Sequence, residues 1–229
     1  MKVLDLGCRT GSAIAAWQAA GDTVIGVDWE DHGQQILGDF TLEETWEIID
    51  EVESIGHFGP YQPYDFIWFS PDCSIFSMAN MRWTPNINRD FEPISERAIR
   101  EVEGIKFVLA KIKERAPRLG WIMENPRALM RKMDFTQDLQ RATVTYCQYG
   151  FDRMKPTDLF GQIPESFIPK ACTRGSSCHI PAPRGSMNST QGMSKTEAGM
   201  IPFELSKAIR DAAIKSNGVF FPTLELWTV

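Results

Sequence analysis

Two short stretches of this sequence carry residue types suited to covalent and acid–base chemistry. The first is Ser70-Pro71-Asp72-Cys73, directly after the apolar run Tyr64-Asp-Phe-Ile-Trp-Phe69. A proline ends a sheet ladder, so this thiol is expected on a turn at the carboxyl end of a strand, where open α/β sheets place their ligands. The second is Glu124-Asn125-Pro126, after the apolar stretch Trp121-Ile-Met. A thiol and a carboxyl group at two strand ends make a nucleophile and a proton carrier available to one substrate.

A third stretch, Asp5-Leu-Gly7-Cys-Arg-Thr-Gly11, lies at the first strand-to-helix junction. Its glycines permit a tight turn and close backbone approach to a ligand. Asp28 ends the next strand about 20 residues on, the position at which a carboxylate meets ribose hydroxyls. The GxGxxG of dinucleotide sites is absent. The pattern is similar to the nucleoside loop of S-adenosylmethionine-dependent methyltransferases. On that likeness Asp5, Gly7, Gly11, Asp28, Asp39, Ser70 and Pro71 are expected to line the cofactor, with Trp29 over the adenine and Asp39 accepting from its amino group.

These residues need elements to hold them. Strands are expected near 2–6, 23–27, 35–40, 65–69, 120–123 and 142–146. Helices are expected at 10–20, from Thr41 to about Ile55, from Ser95 to about Arg115, at 127–133 and at 202–216. Strands alternating with helices predict an α/β chain: a Rossmann-like, doubly wound, mostly parallel sheet. Residues 158–192, rich in Pro, Gly, Ser and Cys, read as a small irregular insert. The catalytic domain would then comprise 1–157 and 193–229. Trp17, Trp29, Trp46, Trp121 and Cys8 read as core, with the place over the adenine as the alternative for Trp29, and His32 and His57 read as solvated.

Bulk properties narrow the class. The apolar share of 43% and charged share of 24% suit one globular domain, and no apolar run approaches the roughly 20 residues of a membrane span. Five cysteines, with no leader layout at the start, predict a reducing cytoplasm and thiols used for catalysis or metal. The net charge is −6, yet residues 141–195 carry +4 and the remainder −10. A basic segment on an acidic body suits a local anionic partner.

Pro71-Asp-Cys73-x-x-Phe76-Ser77 followed by Glu124-Asn125-Pro126 resembles the DNA (cytosine-5) methyltransferase family, which carries Pro-Cys-x-x-Phe-Ser and Glu-Asn-Val at these places. Leu4-Asp-Leu-Gly7, Gln148 on a strand followed by basic residues, and Ile201-Pro-x-x-Leu205 extend the resemblance over most of the chain. It is closest to the small bacteriophage-encoded members, with Lys155-Pro-Thr157 and Ala182-Pro-Arg-Gly185 as further blocks.

The resemblance implies a methyl transfer from S-adenosylmethionine to carbon 5 of a cytosine flipped out of double-stranded DNA, by a monomer acting in a bacterial host cytoplasm. Cys73 would add to carbon 6, Glu124 would bond ring nitrogen 3, and Asn125 would hold the loop. Arg153 and Lys155 would meet a target phosphate or the cytosine carbonyl, and 78–93 would form a lid. Asp72 stands where the family has Pro; its charge opposes thiolate formation unless it turns away or a cation offsets it. Two other readings stay open: a related cytosine modification with another donor or with nucleotide or RNA as substrate, and a non-catalytic DNA-binding protein.

Cys147, Cys172, Cys178 and His179 remain. Three cysteines and a histidine form a common tetrahedral zinc set, and a segment poor in large apolar residues needs a staple. The adjacency of Cys178 and His179 strains joint ligation; unliganded thiols beside a DNA-contacting loop are the alternative.

Overall fold

A computed structural model describes residues 1–55, 64–78, 86–173, 175–181 and 192–220. The expected lid is largely outside these, as are His57 and the 182–185 block.

The sheet has seven strands: β1 (Lys2–Leu6), β2 (Thr23–Asp28), β3 (Ile36–Leu37), β4 (Phe66–Phe69), β5 (Trp121–Pro126), β6 (Gln140–Thr145) and β7 (Pro156–Gln162). Their order is β3-β2-β1-β4-β5-β7-β6. The pairs from β3 to β5 are parallel, and β7 runs antiparallel to both its neighbours. This is a Rossmann-like, doubly wound, mostly parallel sheet, as expected. The order reverses at β1, between β2 and β4, so the crevice for a ligand opens over the ends of these strands.

Strand residues alternate between two cores, as a period of two requires. In β4, Ile67 and Phe69 face one way and Phe66 and Trp68 the other. The first core is closed by α2 (Glu43–Ile55) and α3 (Glu96–Arg115), through Trp46, Ile49, Val102, Ile105 and Val108. Ser95 caps α3, its hydroxyl accepting from the Ala98 amide at 3.1 Å. The second core is closed by α1 (Ala15–Ala19) and α5 (Phe203–Ser216), through Trp17, Leu205, Ile209 and Ala213. The Ser206 hydroxyl donates to the Ala13 carbonyl at 2.6 Å, joining the two ends of the chain. A short helix, α4 (Lys195–Gly199), precedes α5, with a capping box from Ser194 and Glu197.

Trp17, Trp46, Trp121 and Cys8 are buried, as the sequence predicts. The main difference lies in the expected insert. Residues 158–162 form most of β7, in the middle of the right half of the sheet. Leu159, Phe160, Ile163 and Phe167 all enter the main cores. Gly161, at φ 130°, lies flat against Trp121, where a Cβ would come within 2.4 Å of the Trp121 carbonyl. The irregular region therefore begins after residue 162. Gln148, expected on a strand, sits with Cys147 in a 3-10 turn (Tyr146–Tyr149) after β6. Among the described residues, no helix is long and apolar enough to cross a membrane.

Candidate active site

The register of the parallel strands sets the two candidate residues, Cys73 and Glu124, at neighbouring strand ends. Phe69 of β4 pairs with Met123 of β5, so the turn carrying Cys73 and the strand end carrying Glu124 leave the sheet together. Asn125 ties them: its Nδ2 donates to the Pro71 carbonyl at 3.5 Å, and the Leu129 amide donates to the Phe76 carbonyl at 3.1 Å. Asn125 thus reaches the loop that carries Cys73.

Glu124 is buried, and its Oε1 accepts the phenolic hydrogen of Tyr146 at 2.7 Å. Tyr146 is fully enclosed; burial, then the nearby Glu124 charge, holds its hydroxyl well above the usual range, so it stays a donor. Lys155 is buried as well, its Nζ 4.5 Å from the Tyr146 ring centroid. The Tyr146 amide donates to the Lys155 carbonyl at 3.2 Å, which fixes the two residues across the β6–β7 turn.

The Cys73 side chain reaches solvent. Desolvation by the surrounding wall raises its thiol above the ordinary range, and the Glu124 charge adds to this; Lys155 pulls it down, and Asp72 raises it again. Cys73, Glu124 and Lys155 therefore share one electrostatic neighbourhood. Asp72 turns outward from it. Its two oxygens accept from the Ser74 amide at 2.8 Å and the Ser74 hydroxyl at 2.9 Å. Arg97 of α3 donates to both Asp72 and Ser74. The departure from Pro at this position is thus met both by orientation and by a cation.

The loop after β1 turns tightly, with Gly7 at φ 80° and Gly11 at φ 67°, which glycine adopts without strain. A Cβ on Gly7 would lie 2.4 Å from the Ser70 carbonyl oxygen, so the loops after β1 and β4 touch backbone to backbone. Around Gly11 there is open space within 4 Å of a Cβ position. Asp28 is buried and accepts from the Arg9 amide at 2.9 Å and the Glu30 amide at 3.2 Å, which shapes the loop from below. Asp5 is fully buried with neither oxygen partnered, and desolvation, then the Asp28 charge, pushes it up to about 8. Trp29, read from the sequence as core, is instead 66% exposed beside this loop, because it follows the last residue of β2 and leaves the sheet. The Ser70 hydroxyl accepts from the Trp68 indole at 3.0 Å, and Pro71 is buried.

Three features fit a nucleoside cofactor: open space over Gly11, a carboxylate at the β2 end and an exposed indole. A cleft of about 90 Å³ between Arg9, Thr10, His32, Lys195 and Thr196 adjoins the loop. A larger cavity of about 300 Å³, beside Gln148, Lys170 and Lys207, is lined by none of these residues and belongs to another face.

Some expected residues stand apart. Asp39 accepts from the Thr41 amide at 2.9 Å and the Thr41 hydroxyl at 2.6 Å, and so is engaged at the entrance to α2. Arg153 bridges to Ile180, and its buried Nε has no partner. Lys155, expected at a target phosphate or the cytosine carbonyl, is enclosed beside the Tyr146 ring. Tyr146 and Arg97 were not anticipated. Tyr146 closes the predicted sixth strand just ahead of Gln148, the one available signal; Arg97 lies near the start of a helix and gives none.

No protein-family model matches this sequence, and no curated protein matches it. Among solved structures, the chain is similar to the Entamoeba histolytica methyltransferase EhMeth, at 10% identity and TM-score 0.46, over 76% of this chain and 57% of that one. It is similar to S. pombe Dnmt2 methyltransferase, at 13% identity and TM-score 0.45, over 70% and 50%. It is also similar to a Spodoptera frugiperda DNMT2 mutant, at 13% identity and TM-score 0.43, over 79% and 57%. The chain spans between half and three-fifths of the length of these three proteins.

Proposed function

We propose that this chain is a cytosine-5 methyltransferase that takes S-adenosylmethionine as donor and acts, as a monomer, on cytosine in double-stranded DNA. The observation that carries the reading is the convergence of Cys73, Glu124 and Lys155 at the neighbouring ends of β4, β5 and β7, beside the glycine loop after β1.

Carbon 5 of cytosine is a weak nucleophile. Addition of the Cys73 thiolate to carbon 6 forms an S–C bond and pushes the ring electrons toward carbon 5 and nitrogen 3. Glu124 carries the proton that neutralises nitrogen 3, while Tyr146 holds the other carboxyl oxygen and fixes its orientation. Lys155 supplies the positive charge that favours the thiolate. Gly7, Gly11, Asp28 and Trp29 would hold the cofactor, which would supply an electrophilic methyl group to carbon 5. Loss of the carbon 5 proton to a base then returns the electron pair, and the S–C bond breaks. The base must leave the stack to enter a site at this depth.

Covalent trapping tests the reading. With S-adenosylmethionine and duplex DNA containing 5-fluorocytosine, the carbon 5 proton is replaced and elimination is blocked. A denaturant-stable protein–DNA adduct is expected from the wild type and none from Cys73→Ser. Bisulfite sequencing of DNA from expressing cells reports the same activity. Absence of both adduct and 5-methylcytosine refutes the function; adduct on RNA alone refutes the DNA substrate.

A further inference from the structure

We propose that Cys147, Cys172, Cys178 and His179 form a structural zinc site that fastens the 170–180 loop to the turn after β6. Their four ligand atoms all lie within 4.8 Å of one another. Tetrahedral zinc with Zn–S near 2.3 Å and Zn–N near 2.0–2.1 Å requires S–S edges of about 3.8 Å and S–N edges of about 3.6 Å. The Cys147–Cys178 sulfur separation is 3.7 Å, and His179 Nδ1 is 3.5 Å from Cys178 Sγ and 3.7 Å from Cys172 Sγ. The Cys147–Cys172 separation of 3.2 Å is shorter than the required S–S edge, so the two thiols must part by about 0.6 Å to share the ion, and it is far longer than the roughly 2.05 Å of a disulfide. Ligation through Nδ1, the nearer ring nitrogen, is what allows adjacent residues 178 and 179 to serve one ion.

The backbone brings the ligands together without help from the metal. The Cys172 amide donates to the Thr145 hydroxyl at 2.7 Å, and the Thr145 amide to the Lys170 carbonyl at 3.0 Å. The Ile180 amide donates to the Asp152 carbonyl at 2.8 Å. Two strips of hydrogen bonds thus hold the loop against the ends of the β6–β7 turn, and the ligands fill the space between them. Gln148 Nε2 donates to Cys178 Sγ at 3.2 Å, the kind of outer contact that orients a thiolate ligand. Four protein ligands leave no open position, so the ion is structural. Its consequence is local: Cys147 adjoins Tyr146, so the ion anchors the turn from which Tyr146 reaches Glu124.

The full chain, expressed with added zinc and purified without chelator, is expected to carry about one zinc per chain by elemental analysis. Cobalt exchanged into it should show the intense visible bands of tetrahedral thiolate coordination, and His179→Ala should weaken metal retention against a chelator tenfold or more. Chelation of the wild type should speed protease cutting within 170–181. Less than about 0.2 zinc per chain, with no uptake by reduced wild-type protein, overturns the proposal. So does a Cys147–Cys172 disulfide found in unreduced protein by mass spectrometry. All of these readouts are independent of methyl transfer.

Discussion

The Tyr146 hydroxyl donates to Glu124 Oε1 at 2.7 Å, and both groups are closed to bulk water. They are separated by 22 positions and by a whole strand, since β7 lies between β5 and β6. A buried carboxyl oxygen that loses its donor keeps its desolvation cost without compensation. Tyr146→Phe is therefore expected to lower single-turnover transfer by roughly tenfold to a hundredfold, equivalent to about 1–3 kcal/mol, with an unchanged circular dichroism spectrum. A wild-type rate in the variant would remove Tyr146 from the site.

The thiolate of Cys73 is the reactive form, and its thiol is held above the ordinary range. Transfer should therefore rise with pH until the thiol is ionised and fall tenfold per unit below that. Lys155→Met removes the charge that lowers the thiol, so its ascending limb should move to higher pH. Arg97→Ala frees the Asp72 charge and should move the limb the same way, but less, because both partners of that pair are largely exposed. A rate profile in which Arg97→Ala shifts further than Lys155→Met would contradict this ordering.

Asp5 bears on stability. Its carboxyl is raised from 3.8 to about 8 by burial and by Asp28. The folded state holds this proton over a range in which the unfolded state has released it. Stability from this group is thus full below about pH 4 and is lost as pH rises toward 8, by at most about 1.4 kcal/mol per unit. Asp5→Asn is expected to flatten the dependence of melting temperature on pH between 5 and 8 in cofactor-free protein. A variant curve as steep as the wild type would place the effect elsewhere.

Gly7→Ala sets a methyl group 2.4 Å from the Ser70 carbonyl, at a φ of 80° that disfavours any side chain. The backbone of one loop must give way, at about 1–3 kcal/mol. The melting temperature should fall by several degrees and S-adenosylmethionine affinity by tenfold or more, measured by calorimetry. Unaltered affinity would mean that the cradle does not hold the donor.

The strand-end loops were readable because each breaks an apolar run with a residue that a buried strand does not tolerate, such as Pro71 or Asp28. The Ser95 cap was readable for the same kind of reason: its signal is local. The strand β7 was not. Pro156-Thr-Asp-Leu-Phe-Gly-Gln162 contains three residues that ordinarily interrupt strands. Asp158 is tolerated there only because Arg131 donates to both its oxygens and Thr143 to one of them. Gly161 is tolerated because Trp121 covers it. The compensating residues are remote in sequence, so no window along the chain contains them. The same holds for Tyr146 with Glu124 and for Arg97 with Asp72.

The joining of α5 to α1 has a consequence for the newborn chain. Trp17, Phe66, Trp68 and Ile122 are all synthesised long before Leu205, Ile209 and Ala213, which cover them. At about 5–20 residues per second, this apolar face stays open on the ribosome for on the order of ten seconds or more. A chain stopped at residue 200 is expected to bind a hydrophobic dye and to be retained by a holdase chaperone, whereas one carried through Ser216 releases both. Equal dye binding by the two lengths would show that the face closes without its last helix.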